Sequence, residues 1–462
     1  MKRTSKIVVV ASLLGFLMGC GAYLMPRWIM DLGGWKFQSV AFAAEDNESL
    51  FRAYSSGGET VEIEQFDLQG ALIQTYSIPY PFSFFSMSDV VQAPGNAFYL
   101  PVEDFDRVLY SDPDSQTSWV GVTTDLPAEQ IPSIRHGLVN DEGDLVFIGM
   151  MQREAGSDPL REWGVGRIGR DGHLKSFNIV AGTLDVFTLY KNDKGGFDAI
   201  GLLPMQEDGL RPQVFLEFDV HGDLVRRTES RSNVQIFGYA KHRWLGQADG
   251  VMGVFDNKGE RLHQVDFQQA GGFQTIDVES GFYTLGTSGG TEFDGIFFGG
   301  APVVCFHNAQ YVRQWCNTLQ ELSSYLFSNI QLHVDATGRL LLSFGLERSR
   351  LISAGVDIQS FLNGVYGDLE IRGEERRELQ HFVFDTKGKR VLQARAEPYF
   401  HQGAASICFL DLCVAKEKVH PGFGGFSDSL LLPGGRIYSF ASFWNGEPGG
   451  DSYQEQLLYW GP

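Results

Sequence analysis

Apolar residues in this chain fall in short runs separated by tetrads that carry Asp, Asn or Gly, not in stripes of helical period. Two kinds of run recur. One is apolar almost throughout, as in DLVFIGM (residues 144–150) and RLLLSFG (339–345), and fits a strand buried on both faces. The other follows a Phe-Asp-x-x-Gly pentad and alternates apolar with polar, as in GDLVRR (222–227), GERLHQVDF (259–267) and GKRVLQARA (388–396). That alternation fits an outer strand with one wet face.

The pentad occurs as FDLQG, FDVHG, FDNKG and FDTKG, placing Asp67 and Gly70, Asp219 and Gly222, Asp256 and Gly259, and Asp385 and Gly388 in equivalent positions. In a hairpin the Asp side chain accepts backbone N–H groups ahead of it. The Gly supplies the left-handed residue of a type I turn with a bulge, and the Phe is the last core-facing residue of the incoming strand. The residue before Gly varies (Gln69, His221, Lys258, Lys387), so His221 reads as an exposed turn residue and Asp219 as a turn former. Looser copies begin at Asn140, Gly169, Asn192, Val334 and Leu432.

Turns that precede the apolar strands are expected near 46, 95, 141, 193, 245, 278, 335 and 433. Most gaps are about 50 residues, with one short gap and one of nearly 100; a four-stranded unit at that spacing is a propeller blade. The chain therefore resembles the β-propeller superfold over about residues 35–462: all-β, with about seven or eight four-stranded blades. It lacks the Trp-Asp dipeptide of WD40 arrays, the full kelch arrangement around its double glycines, and the Trp of quinoprotein blades. As an anchored, exported propeller it is also similar to the propeller lipoprotein of the outer-membrane barrel-assembly machine, at the level of fold. Two insertions are predicted as short helices: 317–327, with Thr318 and Glu321 as a capping box, and 355–367, with Ile358, Phe361, Leu362 and Val365 on one face.

The first 28 residues are of another kind. Lys2, Arg3 and Lys6 precede an apolar run from Ile7 to Met25, so the body beyond is expected outside the cytoplasm, in a bacterial periplasm or on the cell surface. Two readings stand. LMGC (17–20) resembles a lipobox, which makes Cys20 a lipidation candidate behind a signal-length core. Alternatively the run stays as one transmembrane helix of ~28 Å, with Pro26, Arg27 and Trp28 at the outer interface. In an oxidising compartment Cys305, Cys316, Cys408 and Cys413 become disulfide candidates. Cys408 and Cys413 suit a hairpin with a two-residue turn. If HNAQ (307–310) is a turn, Cys305 faces 312 or 313 and reaches Cys316 only with bending, so cross-pairing and free thiols stay open. Neither pair has zinc-ligand spacing.

Composition narrows the partners. A net charge of −20 repels phosphate backbones, so nucleic acid is not an expected partner. The membrane, through the N-terminal segment, and a protein or glycan are. No cofactor is expected and no catalytic residue is assigned. GTSGG (286–290) satisfies G-x-S-x-G but lacks a following helix, and the Gly-rich stretch beyond it lacks the Lys of a phosphate loop. Asp104, Asp106, Asp112 and Asp114 form an acidic cluster without EF-hand spacing, which reads as a solvated loop. His136, His242, His333, His381 and His401 would make a site only if separate blades brought them together. The leading reading is an anchored extracytoplasmic binding or assembly scaffold. The alternative is an exported propeller enzyme, a glycan hydrolase or lyase.

Overall fold

A computed structural model describes residues 24–461, apart from 35–36, 45–47, 56–59, 80–89, 102–107, 114, 116, 126–131, 154–159, 184, 207–211, 231–233, 266–269, 289–290, 294–295, 299, 324–325, 353–371, 397–398, 405–417, 420–421 and 445–452. The described chain is all-β. It forms eight antiparallel sheets built on four-stranded meanders, the blades of a β-propeller.

The chain divides into two compact units. The larger holds six blades. Blade 1 spans 37–79, blade 2 91–120, blade 3 133–179, blade 4 185–229, blade 5 234–264 and blade 6 270–318. Each blade has its own sandwich of side chains with a neighbour. Phe42, Phe51, Ile63 and Phe98 pack between blades 1 and 2, and Val146, Val165, Phe197 and Val214 between blades 3 and 4. The second strand of blade 3, Leu145–Arg153, is buried from Leu145 to Phe147 and on to Gly149, whereas the fourth strand of blade 5, Arg261–Gln264, is exposed at every position. The two kinds of run are thus second and fourth strands.

The smaller unit holds two blades. Blade 7 contains Leu326–Val334, Leu340–Ile352, Arg372–Phe384 and Arg390–Arg395. Its second and third strands, 13 residues each, run on past the blade, and Tyr399–Ala404 and Lys418–Val419 pair onto that extension. This lengthening accounts for the long gap between turns 335 and 433. Blade 8 takes Gly422–Leu432, Arg436–Trp444 and Tyr453–Trp460 from one end of the chain and Trp28–Gly34 from the other, as its outermost strand. The propeller therefore begins before residue 35. Leu24 already forms a parallel bridge to Ala394, and Arg27 donates its backbone N–H to the Tyr459 carbonyl at 2.7 Å.

All four Phe-Asp-x-x-Gly pentads connect third to fourth strands. In each, the Asp Oδ1 accepts two backbone N–H groups; at Asp219 these are His221 at 2.8 Å and Asp223 at 2.9 Å. The same pair of bonds forms at Asp67, Asp256 and Asp385. Gly70, Gly222, Gly259 and Gly388 have φ between 74° and 87°. Asn140, Asn192 and Asp335 make the same turn between first and second strands. The turn expected near 245 lies at Lys241–His242, both left-handed.

Two expectations change. Residues 317–327 are not an α-helix. Thr318 ends the strand Arg313–Thr318, and only Gln320–Leu322 makes a 3-10 turn, with Leu319 at its N-cap and no side-chain cap. The segment is drawn into a blade edge before a helix can start. Residues 355–367 lie outside the described residues. Cys305 is joined to Cys316 across the third and fourth strands of blade 6, with their Cα atoms 4.1 Å apart. The turn is Asn308–Tyr311, one residue later than HNAQ. Asn308 Oδ1 accepts from Gln310 and Val312, and Tyr311, at φ +62°, takes the place of Gly. The bulge of that turn shifts the returning strand and brings Cys316 opposite Cys305. Cys408 and Cys413 lie outside the described residues.

Candidate binding recess

The turns between first and second strands meet in blades 1 to 4 around a recess of about 450 Å³. Ala43 and Ala44 come from blade 1, Gln92 to Ala97 from blade 2, Val139 to Asp141 from blade 3 and Lys191 from blade 4. A strand pointing its end at a common place explains why no single segment carries the site.

Hydrogen bonds step from blade to blade around it. Gln92 Nε2 donates to the Ala43 carbonyl at 2.7 Å, and Tyr99 Oη donates to the Gly143 carbonyl at 2.8 Å. Arg170 Nη2 reaches back to the Pro94 carbonyl at 3.0 Å. Lys191 Nζ pairs with Asp141 Oδ1 at 3.3 Å, and His242 Nδ1 lies 3.2 Å from the Lys191 carbonyl. Asn140 is committed to its own turn and, through Nδ2, to the Val220 carbonyl at 3.4 Å. The rim is therefore braced, and its charged pair, Asp141 and Lys191, stands in solvent. Gly95, at φ +79°, has nothing within 4 Å of where a Cβ would sit.

A second recess, of about 530 Å³, lies beside the outer strands of blades 4 and 5, with Glu229, Asp249, Lys258, Glu260 and Arg261 around Phe255. Only two blades contribute to it, and its charges are surface groups.

Burial raises the pKa of Tyr99 at this rim. Two further perturbed groups, Asp198 and His381, lie elsewhere and are sealed. Asp198 is 1% exposed; its carboxylate accepts from Tyr239 Oη and Asn257 Nδ2, both at 2.8 Å, and from Asn192 Nδ2 at 3.3 Å. Burial raises its pKa, and the donated hydrogen bonds oppose that rise. Burial and the Asp198 charge raise that of Tyr239 in turn. The cluster braces blade 4 against blade 5. His381 is fully buried, with Ser343 Oγ 2.9 Å from Nδ1 and Ser439 Oγ 3.1 Å from Nε2; burial lowers its pKa to about 3. A neutral imidazole held between two hydroxyls has no route to substrate.

The other sequence-predicted residues disperse. His136 lies in the first strand of blade 3, and His333 in that of blade 7, where burial lowers its pKa. His401 pairs its backbone with Glu375 and Val419 in the blade 7 extension. His221 is exposed in its turn, within 3.0 Å of Arg167 Nη1. Asp112 ends a strand of blade 2 and accepts from the Ser115 N–H at 3.3 Å; Asp104, Asp106 and Asp114 lie outside the described residues. Ser288 follows a strand but leads to another strand, Thr291–Phe293, and exchanges hydrogen bonds with Ala301, so it is no nucleophile elbow. Among the described residues no three His, Cys, Asp or Glu side chains gather as metal ligands. Cys20 lies outside them, and among them no helix is long and apolar enough to cross a membrane.

No protein-family model matches the chain, and no curated protein does. Solved structures do. It is similar to the virginiamycin B lyase of Staphylococcus aureus at 10% identity and TM-score 0.41, over 68% of this chain and 95% of that one. It is similar to the WD40 domain of SCAP from fission yeast at 10% identity and TM-score 0.41, over 94% and 98%. A gluconolactonase from Xanthomonas campestris aligns at 14% identity and TM-score 0.33, over 68% and 85%.

Proposed function

We propose that this propeller is a membrane-anchored, extracytoplasmic scaffold that binds a protein or glycan through the recess formed by blades 1 to 4. The observation that carries the reading is that recess: four successive blades supply it, and cross-blade hydrogen bonds hold its rim. Such a surface recognises shape and backbone groups of an extended partner. The Cys305–Cys316 bridge supports an oxidising compartment, and the basic-then-apolar N-terminal segment supports an anchor.

The test is co-purification from detergent-solubilised membranes, comparing the wild-type chain with Asn96→Trp, which fills the recess. The reading expects a stoichiometric partner with the wild-type chain and its loss from the variant at unchanged melting temperature. A partner that both retain equally would place binding elsewhere.

A further inference from the structure

The start of the described chain crosses the outermost edges of blades 7 and 8 in succession. Leu24 lies along the fourth strand of blade 7: its N–H donates to the Gln393 carbonyl at 2.9 Å, and its carbonyl accepts from the Arg395 N–H at 3.1 Å. Four residues later the chain becomes the edge strand of blade 8. Large apolar side chains are exposed along this path: Leu24, Met25 and Ile29 at 37%, 40% and 53%, and Val391 at 46%. Trp28 stacks on Tyr459 with ring centroids 5.3 Å apart, and Arg27 is exposed beside it.

The run that enters this edge has no polar spacer. If lipidated Cys20 is the anchor, four residues reach Leu24, ~14 Å at full extension. If the run spans as a helix, it must end by Tyr23, giving ~26 Å from Ile7. In either case the edge is held within a few residues of the lipid. We infer that the outer edges of blades 7 and 8 rest on the lipid bilayer, with Leu24, Met25, Ile29 and Val391 entering the headgroup–acyl boundary and Trp28, Tyr459 and Arg27 at headgroup level. This rests on the anchored reading above. Apolar side chains flanked by amphipathic aromatics and a cation are what a lipid interface takes; the molecule's net charge of −20 makes electrostatic adhesion of the whole surface a poor substitute.

The experiment uses the full chain reconstituted in phosphatidylcholine–phosphatidylglycerol vesicles carrying spin-labelled lipid. A genetically encoded fluorescent amino acid replaces Ile29, Val391 or, as control, Ala336, an exposed residue in the first turn of blade 7. Melting curves check that each folds. Quenching at 29 and 391 should exceed that at 336 by about twofold or more. In the unlabelled chain, brominated lipid should quench tryptophan emission, and Trp28→Phe should remove most of that quenching. Flotation with vesicles but equal quenching at all three positions overturns the edge contact and leaves the anchor standing. Failure to float overturns both.

Discussion

Gly222 and Gly259 occupy the same place in the same turn, with φ of +83° and +74°, but their surroundings differ. A Cβ at Gly222 would meet Val165 Cγ1 at 3.6 Å and Val146 Cγ1 at 4.0 Å, both ordinary contacts, whereas at Gly259 it would meet the Phe215 ring at 2.7 Å. Gly222→Val should therefore cost the strain of the left-handed residue, about 1–2 kcal/mol. Gly259→Ala should cost more than Gly222→Ala, because the ring must also shift. Denaturant midpoints of the three variants check both the size and the order. These positions were readable in the sequence because only Gly adopts that conformation freely. Tyr311 was not, because its left-handed backbone is supported by distant groups: its hydroxyl donates to the Lys241 carbonyl at 2.8 Å and its ring packs on Phe282. His381 gives a prediction in pH. Unfolded, it would titrate near 6.5; folded, near 3, so the unfolded state takes up the proton first. Its contribution is present above pH 6.5 and is lost as pH falls toward 3, by about 1.4 kcal/mol per pH unit. Unfolding free energies of wild type and His381→Gln, measured from pH 7 to 4, should converge as pH falls.

At the scale of the element, blade 6 shows how a small count governs a pairing. Moving the turn by one residue and adding its bulge puts Cys316 opposite Cys305. The bridge closes a short loop, so removing it with Cys305→Ala and Cys316→Ala should cost about 2–3 kcal/mol. Reductant should destabilise the wild-type chain more than the double variant, as read from denaturant midpoints. The strands were legible because a period of two survives in any short window. The misread helix at 317–327 has good local signals, Thr318 and Glu321 among them, but Thr318 is still in the strand and Arg390 pairs with Glu321 at 2.7 Å. Tertiary pairing decided that segment. The outermost strand of blade 8, Trp28–Gly34, was hidden for a related reason: its partner, Tyr453–Trp460, lies more than 400 residues away in sequence.

At the scale of the whole molecule, eight similar blades leave little room for a linear motif. Their first turns were located to within a few residues from spacing alone, yet the recess they build was invisible, since backbone carbonyls, Gly95 and one Asp141–Lys191 pair carry no signature. Lys191→Glu should weaken partner binding measurably by placing two carboxylates at the rim, with little effect on stability because the pair is exposed; a binding titration against the purified partner reads this. The claim that the propeller binds through this recess is tested most directly by photo-crosslinking in native membranes. A photoreactive amino acid at Asn96 is compared with one at Val225, exposed on the outermost strand of blade 4. The account predicts a single ultraviolet-dependent adduct at Asn96 and none at Val225. Absence of an adduct at Asn96, or the same adduct at both positions, would contradict it.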